Sequence, residues 1–216
     1  QPMSSGCRRY IIVFNGEIYN YRFLRKKLES TKSTIKWQGG SDTEVLLEVI
    51  SAWGIKSALN HVEGMFAFAL WDTIESKLYL ARDRFGEKPL YYGNIGKDFV
   101  FGSELKALRA HPDFNATIDR GAISMFLQYS HVPSPKSIYE NIFKLPPANI
   151  LCIDLKNNQQ KMSTYWVLEG GINPNYKDNA SNKELILSEL HEKLNSSVSD
   201  QMLADVPVGA FLSGGI

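Results

Sequence analysis

Tyr10, Ile11, Ile12, Val13 and Phe14 follow one another without helical spacing. That run predicts a strand over residues 9–14, and Asn15-Gly16 directly after it predicts a tight turn. The period then changes. Leu24 and Leu28 stand one helical turn apart among basic residues, which predicts a short helix over 21–28. Ser41 and Glu44 have the S-x-x-E spacing of a capping box. Val45, Leu46, Val49, Ile50 and Trp53 follow on one face, and Gly54 stops this second helix.

Beyond Gly64 the pattern shortens. Residues 65–71, 77–81, 90–93 and 99–101 are strand-like and separated by turn formers, which predicts an antiparallel sheet. Residues 149–153 and 161–165 flank Lys156-Asn157-Asn158 as a further hairpin. Residues 169–180 are rich in Gly, Asn, Pro and Asp and lack an apolar period, as expected of a connection between domains. Ser181 and Glu184 repeat the capping pair, and Ile186, Leu190, Leu194 and Val198 recur every four residues along one helix face. An apolar strand is expected over 206–212, opening into Ser213-Gly214-Gly215. The expected domains are therefore 1–168 and 182–216, joined by a linker at 169–181.

Composition narrows the function class. Hydrophobic residues make up 44% and charged residues 22% of the 216, which is ordinary globular usage. A net charge of +1 with no basic run argues against nucleic acid as a partner. No apolar stretch approaches the roughly 20 residues of a membrane span, and the first residues lack signal-peptide order. Two cysteines, Cys7 and Cys152, make no disulfide framework, and no Cys/His cluster has metal-ligand spacing, so a reducing cytoplasm is expected. Gln1 is not an initiator methionine and Ile216 follows a turn, so both ends read as cuts in a longer chain.

Four stretches carry candidate chemistry. Phe14-Asn15-Gly16-Glu17 offers a side-chain amide, a glycine N–H and a carboxylate together. Such donors can face the oxygen that turns negative during acyl transfer; a plain hairpin turn explains the same dipeptide. Asp42, in the first turn of a helix after Gly39-Gly40, is suited to a substrate ammonium, or simply to the helix dipole. Residues 81–92 form a dense charged turn that is either solvated or laced by Arg/Asp ion pairs. Leu212, Ser213, Gly214 and Gly215 form a strand-to-glycine turn of the kind that cradles phosphate, though not a Walker A loop. Arg8 and Arg9 are placed to lower the pKa of Cys7, but with no histidine nearby it is expected to be structural, and Cys152 to be a core residue.

Taken in order, these motifs resemble the glutamine-hydrolysing asparagine synthetases. Val13-Phe14-Asn15-Gly16-Glu17-Ile18-Tyr19-Asn20, Ser41-Asp42-Thr43-Glu44, Gly64-Met65-Phe66-Ala67-Phe68-Ala69, residues 81–92 and Phe211-Leu212-Ser213-Gly214-Gly215-Ile216 carry the likeness across nearly the whole chain. The resemblance implies an α+β glutaminase domain of the Ntn-hydrolase type, four layers αββα, followed by the first helix and strand of an α/β ATP-pyrophosphatase domain. It implies that Asn15 and Gly16 form an oxyanion hole, that Glu17 and Asp42 hold the α-amino group of glutamine, and that Leu212, Ser213, Gly214 and Gly215 begin an ATP site. It further implies glutamine, ATP with Mg2+, and aspartate as reactants, with ammonia passing inside the protein between two sites. The family's N-terminal cysteine nucleophile, and the arginine-containing stretch that binds glutamine, are not in this sequence, so these residues alone are expected to be inactive and to hold no metal site. Oligomeric state is not legible, a homodimer being one option. Competing expectations are a relative with another carboxylate acceptor, a non-catalytic binding or storage module, and, last, a sugar-phosphate amidotransferase, which would lack the Ser-Gly-Gly turn.

Overall fold

The computed structural model describes residues 1–31, 35–168, 183–204 and 206–209. The chain divides into two compact units, Gln1–Val167 and Leu168–Ile216.

Two antiparallel sheets organise the first unit. The larger runs β1-β2-β3-β4-β8-β9, from β1 (Met3–Ser4), β2 (Tyr10–Ile18), β3 (Gly64–Asp72), β4 (Lys77–Arg82), β8 (Asn149–Asp154) and β9 (Gln159–Thr164). The smaller runs β6-β5-β7, from β5 (Tyr91–Ile95), β6 (Asp98–Gly102) and β7 (Ile142–Lys144). The single sheet expected from the strand pattern is therefore two. Period-2 alternation is the same for both, and only the chain's change of sheet between β4 and β5 separates them.

Alternation also sets the layers. On one face of the large sheet Ile12, Phe14 and Ile18 of β2 join Phe66, Phe68 and Leu70 of β3. They pack on Leu24 and Leu28 of α1 (Tyr21–Thr31), on Val45, Leu46 and Ile50 of α2 (Asp42–Trp53), and on Ala58 and Leu59 of α3 (Ile55–His61). On the other face Ala67, Ala69, Leu80, Leu151 and Ile153 meet Leu90 and Leu145, with Tyr92 and Phe99 of the small sheet against them. The outer face of the small sheet covers Ile95 and Ile142 with Leu105 and Leu108 of α4 (Leu105–Arg109). The order helix, sheet, sheet, helix is the four-layer αββα arrangement. Burying each such Leu or Phe side chain contributes about 1.5–3 kcal/mol.

Helix α2 shows the local logic. Ser41 is its N-cap, and its Oγ accepts from Glu44 N–H at 3.2 Å. The return half of the capping box is redirected: the Glu44 carboxylate accepts from Gln38 N–H at 2.6 Å and Gly39 N–H at 2.9 Å. Residues 38–40 fold back over the helix start and offer those donors. Gly54, at φ 80°, ends α2, and α3 begins at the next residue. Helices α4 and α5 (Arg120–Tyr129) have no counterpart in the sequence pattern; only Ala122 of α5 is buried, so no apolar stripe marks it.

Asn15-Gly16 is not a turn. Both residues lie inside β2, with Asn15 opposite Ala67 and Gly16 opposite Phe66. A Cβ on Gly16 would stand 2.2 Å from the Met65 carbonyl oxygen, so the glycine serves a close strand approach rather than a reversal. Cys152 is also less enclosed than a core residue, half-buried between Leu151 and Ile153 because its side faces Tyr79 of the neighbouring strand.

In the second unit α6 (Lys183–Gln201) carries Ile186, Leu190, Leu194 and Val198, all exposed. Residues 206–209 form no strand, contrary to the apolar pattern, since no described strand of this unit offers a ladder partner. The linker stretch, Ser181, and Leu212, Ser213, Gly214 and Gly215 lie outside the described residues.

Candidate active site

Strand β2 is bonded along one side to β3 and, past its short pairing with β1 at Ile11 and Ile12, has no strand on the other. Phe66 of β3 is committed to the β4 side: its carbonyl accepts from Asp83 N–H at 2.8 Å and its N–H donates to Asp83 Oδ2 at 3.2 Å. Ladder bonds alternate along a strand, so Met65 and Ala67 bond to β2 at Glu17 and Asn15. The even-numbered residues of β2 therefore turn their N–H and C=O groups away from β3. Phe14 N–H donates to Gln1 Oε1 at 2.7 Å, and the Phe14 carbonyl accepts from Gln1 Nε2 at 2.8 Å. Ile18 N–H donates to Asp42 Oδ2 at 2.9 Å. Gly16 sits between those two, its N–H on the same open edge and unpaired among the described residues.

The odd-numbered side chains of β2 point the other way, towards the small sheet. There a cavity of about 300 Å³ opens between the sheets, lined by Val13, Asn15, Ala67, Ala69, Phe101 and Ser103 among others. Asn15 is exposed into it and donates from Nδ2 to Ser103 Oγ at 2.9 Å. Small side chains at 67 and 69 leave this room where larger ones would fill the gap.

Asp42 reaches the same strand end. Besides the Ile18 amide, its carboxylate accepts from Thr43 N–H at 2.6 Å and Thr43 Oγ1 at 3.2 Å. Glu17, the neighbour of Ile18, is half-buried, and its side chain makes no hydrogen bond among the described residues. The field here is negative: the Tyr19 hydroxyl is pushed up by burial first, and then by the charges of Glu87, Glu17 and Asp83. The structure thus brings Asn15, Gly16, Glu17 and Asp42 to one end of β2.

The charged turn after β4 is neither a solvated loop nor an ion-pair network. Buried Asp83 accepts from the N–H groups of Phe85 (3.1 Å), Glu87 (2.9 Å) and Lys88 (2.9 Å). Arg82 donates to the carbonyls of Lys88 (2.7 Å), Leu145 (2.8 Å) and Gly86 (2.6 Å), and burial lowers its pKa. Asp83 and Arg82 are both satisfied by main chain, and together they pair the peptide groups where the chain crosses between the sheets. Cys7 is exposed and outside the cavity; burial raises its pKa, but hydrogen bonds from Ser5, Ser51 and the Arg9 backbone outweigh that and lower it, rather than the arginine charges. The sequence reading missed Ser103 and the role of Asp83. A serine directly after a strand carries no spacing signal, and Asp83 differs from a solvated aspartate only by its burial.

Residues 1–166 match the glutamine amidotransferase domain family. The chain belongs to that family. Residues 189–216 match the asparagine synthase family. Asparagine synthetase (glutamine-hydrolyzing) 3 of Bacillus subtilis is 35% identical over 219 residues, covering 100% of this chain and 34% of the relative. Asparagine synthetase (glutamine-hydrolyzing) 1 of the same organism is 36% identical, covering 100% and 32%. Amidase chyE of Penicillium rubens is 29% identical, covering 100% and 30%. The chain thus spans about a third of the length of these relatives. Among solved structures, an allosteric regulatory enzyme of purine biosynthesis aligns with a TM-score of 0.55 at 22% identity, over 78% of this chain and 31% of its own. Glutamine phosphoribosylpyrophosphate amidotransferase from B. subtilis aligns at 0.51 and 22%, over 78% and 32%. Those two likenesses concern the fold, which is the Ntn type of the glutamine amidotransferases.

Among the described residues no three His, Cys, Asp or Glu side chains gather as metal ligands. No described helix is long and apolar enough to cross a membrane.

Proposed function

We propose that this chain is the glutaminase portion, and the start of the synthetase portion, of a glutamine-dependent asparagine synthetase. The observation that carries it is the Asn15 carboxamide lining the cavity, next along β2 to a Gly16 N–H that is unpaired among the described residues. In this reading both donate to the side-chain carbonyl oxygen of glutamine as a thiol attacks and the centre becomes tetrahedral. Fixed donors of that kind stabilise developing charge by about 3 kcal/mol each. Glu17 and Asp42 hold the α-ammonium in the negative field at the strand end. Neither Cys7 nor Cys152 lines the cavity, so the reading takes the thiol from outside residues 1–216.

Ammonia then replaces the activated side-chain carboxyl oxygen of aspartate. Leu212, Ser213, Gly214 and Gly215 would receive the ATP phosphates, with Mg2+ to neutralise them. Domain limits near 168 and 182, a cytoplasmic site of action and a homodimeric assembly belong to the same reading. A second reading, favoured by the amidase relative, keeps the glutaminase step and changes the acceptor.

The test uses the full-length enzyme. Asn15→Ala should lower glutamine-dependent asparagine formation by about 10²–10³-fold while leaving synthesis from added ammonia intact. Undiminished glutamine use in that variant would sink the reading, and a panel of carboxylate acceptors separates the second one.

A further inference from the structure

We infer that Ser103 is a positioning residue for glutamine hydrolysis, holding the Asn15 carboxamide so that its second N–H faces the cavity. This rests on the function proposed above and names a further participant in it.

A carboxamide at the end of an asparagine has a broad, roughly two-fold torsion. Turned one way it presents N–H to an approaching oxyanion, and turned the other it presents Oδ1, which repels. Asn15 itself is exposed, between buried Phe14 and half-buried Gly16. Its side-chain hydrogen bond among the described residues is Nδ2 to Ser103 Oγ at 2.9 Å. One amide hydrogen is committed to the serine, and planarity then fixes the direction of the other.

The anchor is itself held. Ser103 lies between β6 and α4, on the small sheet, while Asn15 is on the large one, so this bond spans the cavity between the sheets. At Gly102 a Cβ would stand 2.9 Å from Leu108 Cδ1, so the glycine lets α4 pack close beside the residue that precedes Ser103. Ser103 therefore has a defined seat at the rim.

In the full-length enzyme, Ser103→Ala should lower kcat for glutamate release about tenfold, with KM for glutamine and the thermal midpoint little changed. Ser103→Thr, which keeps the hydroxyl, should restore most of it. In an Asn15→Ala background, Ser103→Ala should cost nothing further, since it acts only through that amide. Wild-type enzyme that releases no glutamate would defeat the function itself. Active wild type with an unaffected Ser103→Ala variant, or with fully multiplicative losses in the double variant, would defeat the role of Ser103 alone. If Ser103→Ala does not fold, Ser103→Cys, a weaker acceptor of similar size, is read by the same criteria.

Discussion

Asp72 ends β3 and is almost wholly buried, and its carboxylate takes both Nε (3.0 Å) and Nη2 (2.6 Å) of Arg9 together with the N–H groups of Ile74 (3.0 Å) and Glu75 (3.1 Å). Burial alone would raise its pKa, but the guanidinium and the two amides outweigh it and hold the group below the ordinary value. A depressed folded pKa contributes stability that is present above the unfolded value near pH 4 and is lost as pH falls through the folded one. Arg9 is a third exposed, so water screens part of the attraction. Asp72→Asn should therefore cost about 1–2 kcal/mol at neutral pH in urea denaturation. The gap should close as pH falls below about 4. An equal deficit at both ends of that range would refute the assignment.

At the scale of elements, the loop from β4 to β5 stands on one carboxylate. Asp83→Ala would strip acceptors from the amides of Phe66, Phe85, Glu87 and Lys88. The expected cost is at least about 3 kcal/mol, with hydrogen exchange accelerated across residues 84–88 before the rest of the unit. Exchange that stays slow there would show that Arg82 alone holds the loop. This same loop marks where sequence reading stopped. Helix α2 was legible from Ser41, Glu44 and its apolar stripe, and β3, β4, β5, β6, β8 and β9 from their alternation to within a residue or two, whereas β2 runs four residues past its expected end and the short β1 and β7 gave no pattern. The pairing partners were not, because Leu90 and Tyr92 show the same alternation whether they extend one sheet or face it from another. Asn15-Gly16 misled for a related reason: its local preference for a turn is overridden by nine consecutive partners between Tyr10↔Asp72 and Ile18↔Gly64. Asn15, Gly16, Glu17 and Asp42 were legible as candidates by motif, but their convergence needed the alternation of β2 and the bond from Asp42 to Ile18.

At the scale of the whole molecule, the three hydrophobic clusters among the described residues all draw on Gln1–Val167. Residues 1–168 produced alone should melt within about 2 °C of the full 216, as a cooperative transition in calorimetry. A midpoint many degrees lower would mean that the second unit supplies part of the core. The close approach of β2 and β3 has a consequence for how this fold can vary. A Cβ on Gly16 would meet the Met65 carbonyl oxygen and Phe66 Cα, and one on Gly64 would meet the Glu17 carbonyl oxygen at 2.2 Å. Gly86 differs, its imagined Cβ meeting the Arg82 and Pro147 side chains. Exchange of a neighbouring side chain can open space around residue 86. Peptide oxygens are the same in every residue type, so no compensating substitution elsewhere can make room at 16 or 64, and a lineage that lost either glycine would have only reversion to restore the strand pair.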